Sequence, residues 1–100
     1  MNMKTIPNKI NILGRDFTVS IRNREHDGTG ELASSRYAAQ CIWIEKDCHI
    51  QVQEESLIHE MIEMLNTMLE LDLEHHKISS LGVSLYQVLY ENKLSFGNME

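Results

Sequence analysis

An α+β fold, with one small sheet and a helical hairpin, is the architecture this sequence predicts, and three observations carry it. Apolar residues alternate through the first half of the chain. They recur at helical spacing through the second half, and only Asp72-Leu73-Glu74 separates the two helical runs. A chain of 100 residues has room for one core and no second one. The expected organisation is a single domain over 1–100: a three- or four-stranded antiparallel sheet over 8–45, a first helix over 53–71, a second over 75–92, and a frayed tail over 93–100.

The strands come first. Ile10 and Ile12 point one way, Leu13-Gly14-Arg15-Asp16 supplies a turn, and Phe17, Val19 and Ile21 then recur at every second residue. This reads as a hairpin with one buried face. Residues 23–30 are polar, carry Asp27-Gly28 and Gly30, and read as a loop. Glu31 to Ser35 can form a short strand. Gln40 to Glu45 is a stronger one, because Ile42, Trp43 and Ile44 are β-branched or aromatic.

The first helix is the clearest element. Leu57, Ile58, Met61, Ile62, Met64, Leu65, Met68 and Leu69 fill one broad arc, with the methionines as core filler. His59, Glu63, Asn66 and Glu70 form a narrow stripe on the opposite side, with Glu60 and Thr67 beside it, so Glu60 is expected on a mostly exposed face. The second helix carries Ile78, Leu81, Leu85, Val88 and Leu89, and Gly82 allows close helix contact. The short connector returns it antiparallel, with its start near the end of the first.

Composition excludes several classes. Lys plus Arg number 9 against 15 Asp plus Glu, a formal charge of −6. Binding to a phosphate backbone needs clustered positive charge, and the one basic cluster, Arg15, Arg22 and Arg24, runs directly into Glu25 and Asp27. A nucleic-acid partner is not expected, although an acidic mimic of DNA is a weaker option. No stretch approaches the ~18 consecutive apolar residues of a membrane span. No apolar run follows Met1 to Thr5, so a cytoplasmic location is expected. Cys41 and Cys48 lack the spacing of a zinc knuckle and read as free thiols.

The residues that can carry chemistry are His59-Glu60-x-x-Glu63. Residues four apart share a helix face, so His59 and Glu63 can both reach one ion, and glutamate is an acceptable zinc ligand. Glu60 projects about 100° away, beside the ion, where the His-Glu-x-x-His zinc peptidases keep the general base that activates water. His75 and His76 open the second helix, and either could supply a third ligand. Two His and one Glu form the thermolysin-type set, which leaves a position open. The strand Ile42 to Ile44, placed at a sheet edge, could pair with an extended peptide. Tyr86, one turn from Tyr90, could donate to an oxyanion, though half-buried packing is the simpler role for such a pair. His26 and His49 read as surface residues. The His59 stripe also fits a plain solvated helix face, so spacing by itself leaves both readings open.

A family resemblance adds to this. Ser56-Leu57-Ile58-His59-Glu60-Met61-Ile62-Glu63, then Leu73-Glu74-His75, then Leu85-Tyr86-Gln87-Val88-Leu89, resembles a group of short phage and prophage proteins. Those carry a Leu-Leu-His-Glu-x-x-His/Glu helix, a downstream His and a Leu-Tyr-x-Val-Leu helix after a β-meander, and they look like minimal zincins. The likeness covers roughly residues 6 to 92. It implies His59, Glu63 and His75 as ligands of one zinc ion and Glu60 as base. The chain departs from the full peptidase motif in carrying Glu63 where the second His stands. That makes the site more negative and should weaken the acidifying effect of the metal on water.

The function expected from residues and resemblance together is a zincin-like metal-binding protein, with a metalloprotease-type hydrolase activity toward a host or phage protein or peptide. The alternative is a non-catalytic phage-encoded protein that binds and inhibits a host factor.

Overall fold

Leu13 and Gly14 both adopt positive φ, at 50° and 88°. A two-residue hairpin loop with both central residues in that region matches the right-handed twist of its strands. Asn11 braces the turn, its Oδ1 accepting from the Gly14 N–H at 2.9 Å and its Nδ2 donating to Asp16 Oδ1 at 3.0 Å. Arg15 and Asp16, expected in the turn, already belong to the second strand.

The structure is a computed structural model that describes residues 6–23 and 31–96. Its elements are β1 (Lys9–Ile12), β2 (Arg15–Arg22), β3 (Ala33–Arg36), β4 (Cys41–Glu45), α1 (Ile50–Leu69) and α2 (His75–Glu91). The fold is α+β. Most of the expected loop over 23–30, with Arg24 and His26, lies outside the described residues, as do residues 1–5 and 97–100 of the expected tail. Among the described residues, no helix is long and apolar enough to cross a membrane. Cys41 and Cys48 form no disulfide.

The sheet is mixed, where an antiparallel one was expected. Its order is β1-β2-β4-β3, with β2 and β4 paired in parallel at the centre and antiparallel pairs on either side. The physical reason lies in the connection: a chain that leaves β2 and makes β3 on the way can return to the same end and run alongside β2 again. Side-chain alternation is identical for parallel and antiparallel pairing, so the sequence carries no sign of the choice. One consequence reaches the site. The strand Ile42 to Ile44 was expected at an edge; it is internal, and the edge strand is β3.

Phe17, Ile42 and Ile44 are fully buried at the sheet centre, with Ile12 and Val19 close behind. Ile21, expected in the same row, is 41% exposed, at the end of β2. Helix α1 lies across the sheet, in contact with β3, β4 and β1. It begins three residues before the expected start because His49 caps it, Nδ1 accepting from the Gln51 N–H at 3.1 Å. Gln53 ties it to the sheet, donating through Nε2 to the Glu45 carbonyl at 3.0 Å. Leu57, Met64 and the half-buried Met61, Leu65 and Met68 complete the core.

Helix α2 forms an outer layer. Among the described residues it packs on α1 and touches no strand, so the helical hairpin stands on the sheet by one helix rather than two. Its buried residues are Ile78 and Gly82.

Candidate metal centre

The centre is built where α2 starts beside the middle of α1. The α1 chain ends at Glu70, whose φ of 52° is a left-handed cap and whose N–H donates to the Asn66 carbonyl. Asn66 then holds the connector by its side chain, Oδ1 accepting from the Leu73 N–H at 2.9 Å and Nδ2 donating to the Leu73 carbonyl at 3.4 Å. Asp72 also takes positive φ, 59°, so the chain reverses sharply. His75 follows and lands over Glu63.

Glu63 Oε2 lies 3.3 Å from His59 Nε2 and 3.3 Å from His75 Nδ1. The two imidazoles meet edge to face with centroids 5.2 Å apart, and the three donor atoms all fall within 4.8 Å of one another. Tetrahedral zinc with bonds of 2.0–2.1 Å to nitrogen and oxygen has ligand–ligand edges of about 3.3–3.4 Å. Two edges of this triangle match that value. His59, Glu63 and His75 therefore form a group that could hold a metal ion, and two imidazole nitrogens with one carboxylate are a donor set that suits zinc. His76 turns to Glu74 instead, at 3.9 Å, and stays exposed.

Glu60 corrects one expectation. It is only 7% exposed, on the sheet-facing side of α1 in register with Leu57 and Met64. Its Oε1 accepts a 2.5 Å hydrogen bond from Ser35 Oγ on β3. Burial pushes its carboxyl above the usual carboxylate range; the Ser35 bond and His59 pull it down, while Glu63 and Glu31 push it up. Position 60 lies between the sheet stripe and the His59 stripe, and the approach of β3 decides which way it faces.

A groove of about 580 Å³ joins these parts. Leu32 and the β3 residues Ala33 to Ser35 line one side, α1 lines the other with Glu55, His59, Glu60 and Glu63, and His75 of α2 adjoins it. Glu31, Glu55, Glu60 and Glu63 line it with no lysine or arginine among the described residues, so it favours cationic groups.

The structure does not bring Tyr86 into the groove. Its hydroxyl donates to Glu54 Oε1 near the start of α1, and its ring stands 5.5 Å from that of Tyr90. Burial, then the hydrogen bond and charge of Glu54, raise its pKa. Sequence reasoning missed Ser35, Glu54 and Gln53. Ser35 and Glu54 act through contacts 25 and 32 residues apart in sequence, and Gln53 through carbonyls of the β4–α1 connection, so no helical or strand spacing signals them. Comparison with family models, curated proteins and solved structures finds no match to this chain.

Proposed function

We propose that this chain is a zincin-like zinc protein whose groove receives an extended segment of a host or phage protein and whose site is arranged for peptide hydrolysis. The observation that carries the reading is the single oxygen Glu63 Oε2, held 3.3 Å from a nitrogen of each histidine. Zinc, when bound, would supply Lewis acidity toward a peptide carbonyl. The chain's own residues supply the rest. His59 and His75 offer neutral nitrogens, and Glu63 neutralises part of a cation's charge. Glu60, one helix position from the ligand stripe and raised in pKa by burial, can take a proton from a water in the groove. The outer edge of β3 offers backbone groups along which an extended chain can lie.

A second reading, a non-catalytic binding protein on the same scaffold, is favoured by one observation. Glu60 is engaged by Ser35 at 2.5 Å, which holds its carboxylate on the strand side. Two measurements separate the readings. Elemental analysis of purified protein should give about one zinc per chain, lost in His59→Ala. Hydrolysis of a peptide mixture by the zinc-loaded protein, absent in Glu60→Gln, supports the enzyme; zinc binding with no hydrolysis in either supports the binding protein. Absence of bound zinc would remove the enzyme reading and leave the binding protein, which does not require the metal.

A further inference from the structure

Helix α2 carries apolar side chains that nothing among the described residues covers. It packs on α1 alone, yet Leu81, Leu85 and Val88 keep 49%, 45% and 43% of their surface exposed among the described residues. Their steps of four and three place them in one seam along the helix. Leu85, Leu81 and Val88 lie roughly 80°, 120° and 140° around α2 from His75, all to one side of it.

We infer that this seam is the two-fold interface of a homodimer in which α2 packs antiparallel against α2 of a second copy. The seam is self-complementary in that arrangement. Centred beside Leu85, it sets Leu81 against Val88 of the second copy and Val88 against its Leu81, while Leu85 meets its own equivalent, as an isologous contact requires. Charge fits the same register. Lys77 flanks one end of the seam and Glu91 the other, both exposed and without an ion pair among the described residues, and the antiparallel pairing brings Lys77 beside Glu91 of the second copy twice. A parallel pairing would instead set like charges side by side. Three half-exposed apolar side chains per copy bury less than the roughly 1,200–2,000 Å² of stable specific interfaces, which places the contact at the weak end. The dimer is therefore a weak one, with a dissociation constant on the order of micromolar. This inference does not depend on zinc.

Sedimentation equilibrium of the full chain across the micromolar range tests it. The wild type should show a monomer–dimer equilibrium, and Leu85→Glu, at a half-exposed position, should remain monomeric with unchanged far-ultraviolet circular dichroism. Should that variant fail to fold, the charge pair still decides: Lys77→Glu and Glu91→Lys should each weaken the dimer about tenfold, and the double exchange should restore it to within about threefold. A wild type that stays monomeric overturns the inference and assigns the seam to a different protein or to another segment. A dimer that survives Leu85→Glu, or single exchanges without effect on it, overturns this surface and register.

Discussion

A methyl group added at Gly82 would lie 3.5 Å from the Cα of His59 and 3.6 Å from its Cβ. Helix α2 thus passes over α1 at the residue that offers the first candidate ligand. The spacing is ordinary van der Waals contact for one methyl and leaves no room for more. Gly82→Ala should fit and, by removing a helical glycine, raise stability by up to about 1 kcal/mol. Gly82→Leu should push α2 away, separate His75 from Glu63 and lower zinc affinity by more than about tenfold. Thermal unfolding and zinc titration of the two variants check both outcomes.

Asn66 touches none of the three donor atoms, yet it sets where α2 begins. Asn66→Ala removes both hydrogen bonds to Leu73 and should cost about 1–2 kcal/mol. Because His75 follows two residues later, zinc affinity should fall although every ligand is intact. Calorimetric zinc binding that is unchanged in this variant would show that the connector does not position His75.

For Glu60→Gln, the buried position changes the forecast that an exposed one would give. Ser35 can still donate to the glutamine oxygen, and no charge is left in the buried site. Stability at neutral pH should hold or rise, by no more than about 1 kcal/mol, with zinc retained. Ser35→Ala should instead destabilise the protein by about 1 kcal/mol or more, since it leaves a buried carboxylate without its donor. Urea unfolding midpoints give the comparison; zinc release by Glu60→Gln would mean that Glu60 is itself a ligand.

Tyr86 should report in alkali. Its folded pKa is raised above the ordinary value of about 10. The stability it contributes is therefore fully present below about pH 10 and is lost as pH rises from there toward the folded pKa. Tyr86→Phe should be less stable than wild type near neutrality and lose that deficit at high pH, with zinc affinity unchanged throughout. Paired unfolding curves across that range check the sign.

Much of this was legible in the sequence, for identifiable reasons. A turn after Ile12, the long α1 and the return of α2 follow from alternation, period and connector length, although the turn is two residues shorter than the sequence suggested. The stripe of His59 and Glu63 follows from helix geometry alone. Strand pairing was not legible, since Phe17, Val19, Ile42 and Ile44 alternate in the same way whether β2 and β4 run parallel or antiparallel. The edge strand was therefore misplaced on Ile42 to Ile44, and the wall of the groove went to β3, whose Ala33-Ser34-Ser35 carries little apolar signal. The side of Glu60 was misread for a related reason: helical period fixes the angle of a residue, and the packed neighbour decides whether that angle is inside. His49 gave no cue as a cap, because histidine is not among the residues preferred there.

Zinc titration of wild type, His75→Ala and His76→Ala, followed by calorimetry under one set of conditions, bears most directly on the metal centre. His75 Nδ1 stands 3.3 Å from Glu63 Oε2, whereas His76 faces Glu74 in solvent. Wild type should bind about one zinc, His75→Ala should bind it weaker by orders of magnitude, and His76→Ala should stay within about tenfold of wild type. Equal behaviour of the two variants, or a wild type that takes up no zinc, would contradict a centre made of His59, Glu63 and His75.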